Sequence, residues 1–129
     1  MKEKVETGLP DSSAPSEWAI KADNILYTVH WACLPDGNCS TGDIREQTRI
    51  TLENLKRTVE AAGGTMADIV KLNYYLVAEV DQANVPKLRP IRDRYLNVEN
   101  PPASTFVVVS RLMRPGWLIE IEAIAALDA

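Results

Sequence analysis

The stretch NPPASTFVVVSRLMRPGWLIEIEAIAA, residues 100–126, contains two strand signals on either side of a turn signal. Residues 105–112 are rich in β-branched side chains and predict one strand, and residues 117–125 predict a second. The sequence Arg114-Pro115-Gly116 between them is typical of a turn. We therefore expect these two strands to form a β-hairpin.

Side chains alternate between the two faces of a strand, so the second strand has two different faces. The predicted faces are Leu118, Glu120, Glu122 and Ile124 on one side, and Trp117, Ile119, Ile121 and Ala123 on the other. A carboxylate among apolar strand side chains loses solvation, which raises its pKa and suits it to proton transfer. Glu120 is thus a candidate catalytic residue, with a solvated or ion-paired strand carboxylate as the alternative.

Composition sets limits on the class of protein. The chain has 129 residues, of which 46% are hydrophobic, and this is enough for one domain over residues 1–129 with a polar lead-in at 1–15. The formal net charge is -4 and the basic residues are scattered, which argues against nucleic acid as the main partner. No apolar run approaches the roughly 20 residues of a membrane span, and the start MKEKVE lacks the apolar core of a signal peptide, so we expect a cytoplasmic protein with no membrane partner.

The cysteines and the single histidine offer little to a metal. Cys33 and Cys39 flank a Pro35-Asp36-Gly37 turn, and a reducing cytosol would keep both as thiols. Because His30 is the only histidine in the chain, a zinc site built from cysteine and histidine would lack ligands. The sequence therefore predicts neither a metal site nor a cofactor.

The middle of the chain predicts two helices separated by a strand. Asp43 can cap a helix in which Glu46 completes a capping box, and Gly63-Gly64 ends it. Residues 67–80 form a nearly continuous apolar run, which predicts a central strand buried on both faces. A second helix is expected from about Pro86 to Leu96.

Strands at residues 17–20 and 24–33 complete the predicted order β-β-α-β-α-β-β. This order indicates an α+β fold in which two helices cover one face of a mixed sheet. The other face must be buried elsewhere, and self-association is the simplest way to bury it.

The sequence resembles the RidA family, also called YjgF/YER057c/UK114, whose members are small enamine/imine deaminases. The matching blocks are LYT at 26–28, GDI at 42–44, QT at 47–48, LENLK at 52–56, EAAGG at 60–64, DIVK at 68–71, YL at 75–76, PPA at 101–103 and IEIEAIA at 119–125. The resemblance implies a chorismate-mutase-like subunit and a homotrimer with three clefts between subunits. It also implies that the first glutamate of Glu-Ile-Glu, here Glu120, positions a hydrolytic water.

The same resemblance exposes a departure in the cleft. The family has an arginine directly after Pro-Ala that binds the substrate carboxylate, whereas this chain has Ser104. A guanidinium binds a carboxylate through two parallel charge-assisted hydrogen bonds, and a serine offers a single neutral donor. We therefore expect a substrate other than a simple 2-iminoacid.

Other cleft positions also differ from the family pattern. Val29-His30-Trp31 replaces Ser-Gly-Gln, and Phe106 replaces a cysteine. His30 is a second candidate for acid-base catalysis because it titrates near neutrality; the alternative is a hydrogen-bonded structural histidine. Arg89 and Arg92 of the second helix lie near the place of a cleft asparagine of the family, and either could restore the lost cation from another direction; the alternative is a solvated helix face. The candidate substrate-binding residues are Trp18, Val29, Trp31, Arg89, Ser104, Thr105 and Phe106.

Two other functions remain open beside a hydrolase of small enamines or imines. One is a trimeric protein that binds a small metabolite in the same clefts without catalysis. The other is RNA cleavage, which has been attached to some relatives, although the acidic charge and the absence of a basic stripe argue against it.

Overall fold

The computed structural model describes residues 1–128, which contain one mixed sheet of six strands. Its strands are β1 Lys2–Lys4, β2 Ala19–Ala22, β3 Ile25–Trp31, β4 Ile69–Val77, β5 Ala103–Val109 and β6 Ile119–Ala126. The strand order is β1-β2-β3-β6-β4-β5; β4 and β5 run parallel, and the other neighbours run antiparallel. The helices are α1, Ile44–Ala61, and α2, Arg89–Asp93. The predicted α+β fold, with its helices on one face of a mixed sheet, is confirmed.

The predicted hairpin of the last two strands is wrong. Strand β6 lies between β3 and β4, whereas β5 pairs with β4 at the edge of the sheet. The turn at Arg114-Pro115-Gly116 is only part of the longer connection 110–118, which carries the chain past β4. The burial of the two strands fits their positions in the sheet. Alternate residues of the inner strand β6 are buried, while the edge strand β5 is exposed along nearly its whole length.

Helix α1 begins and ends where predicted, but its predicted capping box does not form. The Asp43 carboxylate accepts a hydrogen bond from the Glu46 backbone N–H at 2.9 Å. The Glu46 side chain binds Arg49 instead of closing the capping box. The helix ends before Gly63, which has a φ of +91° that glycine adopts without strain. Its apolar stripe packs on β3 and β6 and includes Ile44, Leu52, Leu55 and Val59.

The second helical segment is shorter than predicted. A 3-10 helix spans Gln82–Leu88, and α2 follows it for one short stretch. Pro86 and Pro90 lie inside this segment, and each removes a backbone donor, which explains why no long α-helix forms. The predicted apolar spacing is kept nevertheless, since Leu88 is buried and Val85, Ile91 and Tyr95 pack against the core.

The sheet has one covered face and one open face. The covered face carries the core, including Leu26, Leu72, Ile119 and Ile121. The open face is the side opposite the helices, and no element of residues 1–128 covers it. Burial of β4 on both faces is therefore not found within one chain, where Val70 remains 48% exposed.

The first residues contain a strand that the sequence did not reveal. Strand β1 lies in the predicted lead-in of residues 1–15 and pairs with β2 at the edge of the sheet. Its Lys-Glu-Lys sequence is exposed throughout, so no apolar pattern marks it. Among the helices of residues 1–128, none is long and apolar enough to cross a membrane.

Candidate functional site

Glu120 lies near the start of β6, on the open face of the sheet. Its cross-strand neighbours are Trp31 of β3 and Tyr75 of β4. The residues on either side of it, Ile119 and Ile121, are fully buried on the covered face. The alternation predicted for this strand is found from Ile119 onward, and it places the Glu120 carboxylate on the surface that one chain leaves uncovered.

The two carboxylates of β6 differ in their partners. Glu122 accepts hydrogen bonds from the Tyr75 hydroxyl and, at 3.4 Å, from the Asn73 amide. No hydrogen bond or ion pair within residues 1–128 engages the Glu120 carboxylate. Partial burial, and secondly the charge of Glu122, raise the pKa of Glu120 above its ordinary value. Glu122 is therefore held in place, while Glu120 is available to bind a water and exchange a proton.

Three tryptophans form an aromatic wall beside Glu120. Trp31 stacks on Trp117 with the ring centroids 4.0 Å apart, and the Trp18 ring lies tilted against Trp31 with the centroids 5.6 Å apart. Trp31 is the cross-strand neighbour of Glu120, so the wall borders the carboxylate. Trp31 and Trp18 were predicted as ligand contacts, and Trp117 was missed.

Trp117 was missed because the strand begins later than the sequence suggests. Alternation counted from Trp117 assigns it to the same face as Ile119. Strand β6 begins only at Ile119, so the alternation does not extend to Trp117, which lies in the preceding connection. Its ring instead stacks on the open-face residue Trp31.

His30 does not join Glu120. It is 0% exposed and lies among the core-facing residues of β3, opposite Ile121 of β6. Its ring stacks on Trp18 at 5.4 Å, and neither ring nitrogen has a partner within the described chain. Burial lowers the pKa of His30 from 6.5 to about 3, so the ring is neutral near pH 7. This placement does not support His30 as an acid or base for a ligand at Glu120, because the sheet separates them.

Two more of the predicted ligand-binding residues lie on the open face. Val29 is the cross-strand neighbour of Glu122. The Thr105 hydroxyl accepts a hydrogen bond from Lys71 Nζ at 2.7 Å, on the same face of the neighbouring strands β4 and β5. Thr105 thus has a partner within the chain already.

The remaining three lie together on the covered face. Ser104, Phe106 and Arg89 line one cavity of about 200 Å³ between β5 and the α2 segment, and Arg92 lines it too. The residue types of β5 are compatible with either face of the sheet, and the pairing with β4 determines which residues lie on the covered face. Within one chain the structure therefore brings these three together but separates them from Glu120.

Comparisons with known proteins cover nearly the whole chain. The family model described as endoribonuclease L-PSP matches residues 9–127. A RutC family protein from Pyrococcus horikoshii is 39% identical over 128 residues, which cover 97% of this chain and 98% of that protein. The 3-aminoacrylate deaminase RutC of Acinetobacter baylyi is 33% identical over 120 residues, covering 92% of this chain and 91% of that protein.

Comparison with solved structures indicates the same family as the sequence relatives. A protein of unknown function from the conserved Rid family of Yersinia pestis superposes with a TM-score of 0.87 at 32% identity, covering 98% of this chain and 100% of that one. E. coli TdcF, solved with bound serine, gives 0.83 at 25% identity over 98% of this chain and 99% of that one. The chain therefore belongs to the RidA/YjgF family, whose family model carries the description endoribonuclease L-PSP.

Proposed function

We propose that this protein is a hydrolase that deaminates a small enamine, imine or related carbon-nitrogen compound other than a simple 2-iminoacid. The observation that carries the proposal is the Glu120 carboxylate, which is partly buried, has a raised pKa and has no partner within residues 1–128. The relative from Acinetobacter baylyi that is named 3-aminoacrylate deaminase supports the reaction class.

The proposed reaction needs only water and proton transfer, so no metal or organic cofactor is invoked. Glu120 accepts a proton from a bound water while the water oxygen attacks the electrophilic carbon of the imine. Glu120 then returns this proton to the nitrogen, which gives a carbinolamine. In a second transfer Glu120 moves the proton of the carbinolamine hydroxyl to the nitrogen, so that the carbon-nitrogen bond breaks as the carbonyl forms and ammonia leaves. A raised pKa suits a carboxylate to both transfers, because the proton must be taken up and released near neutral pH.

We further propose that the complete site forms between protomers of a homotrimer. Glu120 and Ser104 lie on opposite faces of the sheet in one chain, so a cleft that contains both needs two chains. The open face also carries apolar side chains that the chain itself leaves exposed or half-exposed, including Tyr27, Val29, Trp31, Val107 and Ile124. Burying such a face against further copies would remove apolar area from water.

The charge of the chain supports a small-molecule substrate. A net charge of -4 offers no general attraction to a polyanion such as RNA. We propose that the protein acts in the cytoplasm on a metabolite, with neither nucleic acid nor a membrane as a partner.

The test replaces each carboxylate of β6 in turn. Glu120→Gln should lower ammonia release from a panel of small imines and enamines, including 3-aminoacrylate, by about 100-fold or more, because a positioned proton acceptor contributes that much. Glu122→Gln, two residues away on the same face, is the matched control and should retain most of the activity. Undiminished turnover by Glu120→Gln would remove this mechanism, and a stable monomer in analytical ultracentrifugation would remove the shared cleft.

A non-catalytic metabolite-binding protein is the second candidate, and Ser104 is the observation that favours it. The residue stands where the resemblance implies a carboxylate-binding arginine. If Ser104→Arg creates 2-iminoacid hydrolysis in a protein that otherwise lacks it, the cleft is catalytic and has a changed specificity. If Ser104→Arg only abolishes ligand binding, the binding role is favoured.

A further inference from the structure

The two cysteines of the chain meet across a short turn that follows β3. Cys33 and Cys39 are antiparallel cross-strand partners, and both are free thiols. Gly37 lies in the turn between them with a φ of +89°, and the Asn38 backbone N–H donates to the Asp36 carboxylate at 2.9 Å. This turn returns the chain on itself, so that the two cysteines lie side by side.

The backbone hydrogen bonds show how close the cysteines are. The Leu34 N–H donates to the Asn38 carbonyl at 2.8 Å, and the Ser40 N–H donates to the Ala32 carbonyl at 2.9 Å. These bonds lie on either side of the two cysteines, which therefore form a non-hydrogen-bonded pair, the type in which the Cα atoms are about 4.5 Å apart. Disulfides join cysteines whose Cα atoms are about 4.4 to 6.8 Å apart. A disulfide can therefore form here without a large movement of the backbone.

The two thiols differ in their access to solvent. Cys33 is only 2% exposed. Cys39 is half-buried and lines a cavity of about 360 Å³ between the loop 39–42 and the connection 115–118. A small oxidant can reach Cys39 from this cavity, whereas Cys33 is accessible mainly to Cys39 itself. Oxidation would therefore begin at Cys39.

The hydrogen bonds that oxidation would remove are weak. The Cys39 thiol lies 3.8 Å from the Gln47 side-chain oxygen and 3.9 Å from the Gly116 carbonyl, and thiols are weak donors. Gln47 also donates to the Gly116 carbonyl at 2.9 Å and accepts from the Leu118 N–H at 3.0 Å. The connection before β6 thus stays attached through Gln47 when the Cys39 thiol loses its hydrogen.

We infer that Cys33 and Cys39 are a reversible thiol-disulfide pair, with a small disulfide such as oxidised glutathione as the oxidant. The Cys39 thiolate attacks one sulfur of the oxidant, and the first glutathione leaves as a thiolate. The Cys33 thiolate then attacks the Cys39 sulfur, the second glutathione leaves, and the protein disulfide forms. Two protein thiols are oxidised while one external disulfide is reduced to two thiols. This inference does not rest on the proposed function, and either can fail without the other.

The exchange should be slow near neutral pH. Burial, followed by the neighbouring Cys39 and Asp36, raises the pKa of Cys33 to about 11, and burial raises the pKa of Cys39. Because the thiolate is the nucleophile, both cysteines react slowly at pH 7. The pair therefore stays reduced in a reducing cytosol and forms the disulfide only when the surroundings become oxidising.

Equilibration with glutathione tests the pair. The protein is kept in mixtures of reduced and oxidised glutathione at about pH 8.5, where exchange is faster, and the free thiols are then trapped with N-ethylmaleimide and counted by mass spectrometry. The equilibrium constant for the internal disulfide should be at least about 10-fold larger in the folded chain than in urea, because the fold holds the cysteines together. An equal or smaller constant in the folded chain, or a disulfide between two copies, would overturn the inference.

Two single-cysteine variants and a protein digest locate the bond. A protease that cuts before Asp36 places the cysteines on separate peptides, which should stay joined after oxidation and separate with dithiothreitol. In Cys33→Ala, glutathione should remain attached to Cys39 as a mixed disulfide. In the matched variant Cys39→Ala, attachment to the buried Cys33 should be at least about 10-fold slower, because access limits exchange. Equal rates in the two variants would contradict entry through Cys39, and peptides that separate after oxidation would contradict the pair.

Discussion

On the covered face of the sheet, His30 is fully buried with neither ring nitrogen bonded, whereas on the open face Glu122 has two donors and Glu120 keeps contact with solvent. The difference follows from what covers each face. Burial lowers the pKa of His30 and keeps its ring neutral near pH 7, whereas partial burial on the open face raises the pKa of Glu120. The covered face thus carries the core, whereas the open face carries carboxylates and half-exposed side chains.

Truncation on the two faces of β6 should show the largest contrast. Ile121→Ala opens a cavity under α1 and should lower the free energy of unfolding by about 2 to 5 kcal/mol. Ile124→Ala removes the same atoms from the half-buried open face and should cost less than about 2 kcal/mol. Urea unfolding at several protein concentrations would separate intrinsic stability from self-association. Equal losses in the free energy of unfolding would show that the two faces of β6 are buried to the same extent.

Lowering the pH should produce a smaller change in stability, through His30 on the covered face. The pKa of His30 is about 3 in the folded chain against 6.5 when unfolded, so between these values only the unfolded chain binds the proton. The stability contributed by neutral His30 is therefore complete above pH 6.5 and is lost as the pH falls. His30→Phe should remove up to about 1.4 kcal/mol of pH dependence per pH unit, measured by urea unfolding between about pH 6.5 and 5. A variant that keeps the wild-type slope would refute this role of His30.

The smallest effect should come from two adjacent tyrosines. Tyr75→Phe removes a donor to Glu122 on the open face and should lower the free energy of unfolding by about 0.5 to 1.5 kcal/mol. Tyr74→Phe removes an unpaired hydroxyl on the covered face, so it should leave stability unchanged or slightly raised. Thermal unfolding of the two variants in parallel would show which substitution lowers stability more. If Tyr74→Phe were the more destabilising, the Tyr74 hydroxyl must have a partner.

Local patterns were enough to predict most elements of the fold. The alternation around Glu120, the Asp43 cap and the glycine stop after α1 depend on residues close in sequence, and all three are found. The place of β6 in the sheet was not predictable in this way, because its partners β3 and β4 lie far from it in the chain.

The candidate site was harder to predict for the same reason. Alternation shows which residues of one strand share a face, but only the register between strands shows that His30 faces Ile121 while Trp31 faces Glu120. The sequence of β5 does not show which of its residues face the core, because Ser104, Thr105 and Phe106 suit either face of a sheet. Only the pairing of β5 with β4 assigns each residue to its face. Tyr74 lies in the apolar run 67–80 that predicts a buried strand, and only the structure shows that its hydroxyl has no partner within residues 1–128.

The position of β6 also bears on how quickly the chain reaches its native state. The middle strand of the sheet follows β3, β4 and β5 in the chain, so neither half of the sheet can be joined to the other until β6 docks between them. Each pairing of β6 closes a long loop, and folds that depend on such distant pairings cross their barrier slowly, on the order of milliseconds to seconds. Refolding should accordingly be limited by the docking of this strand, after α1 has formed.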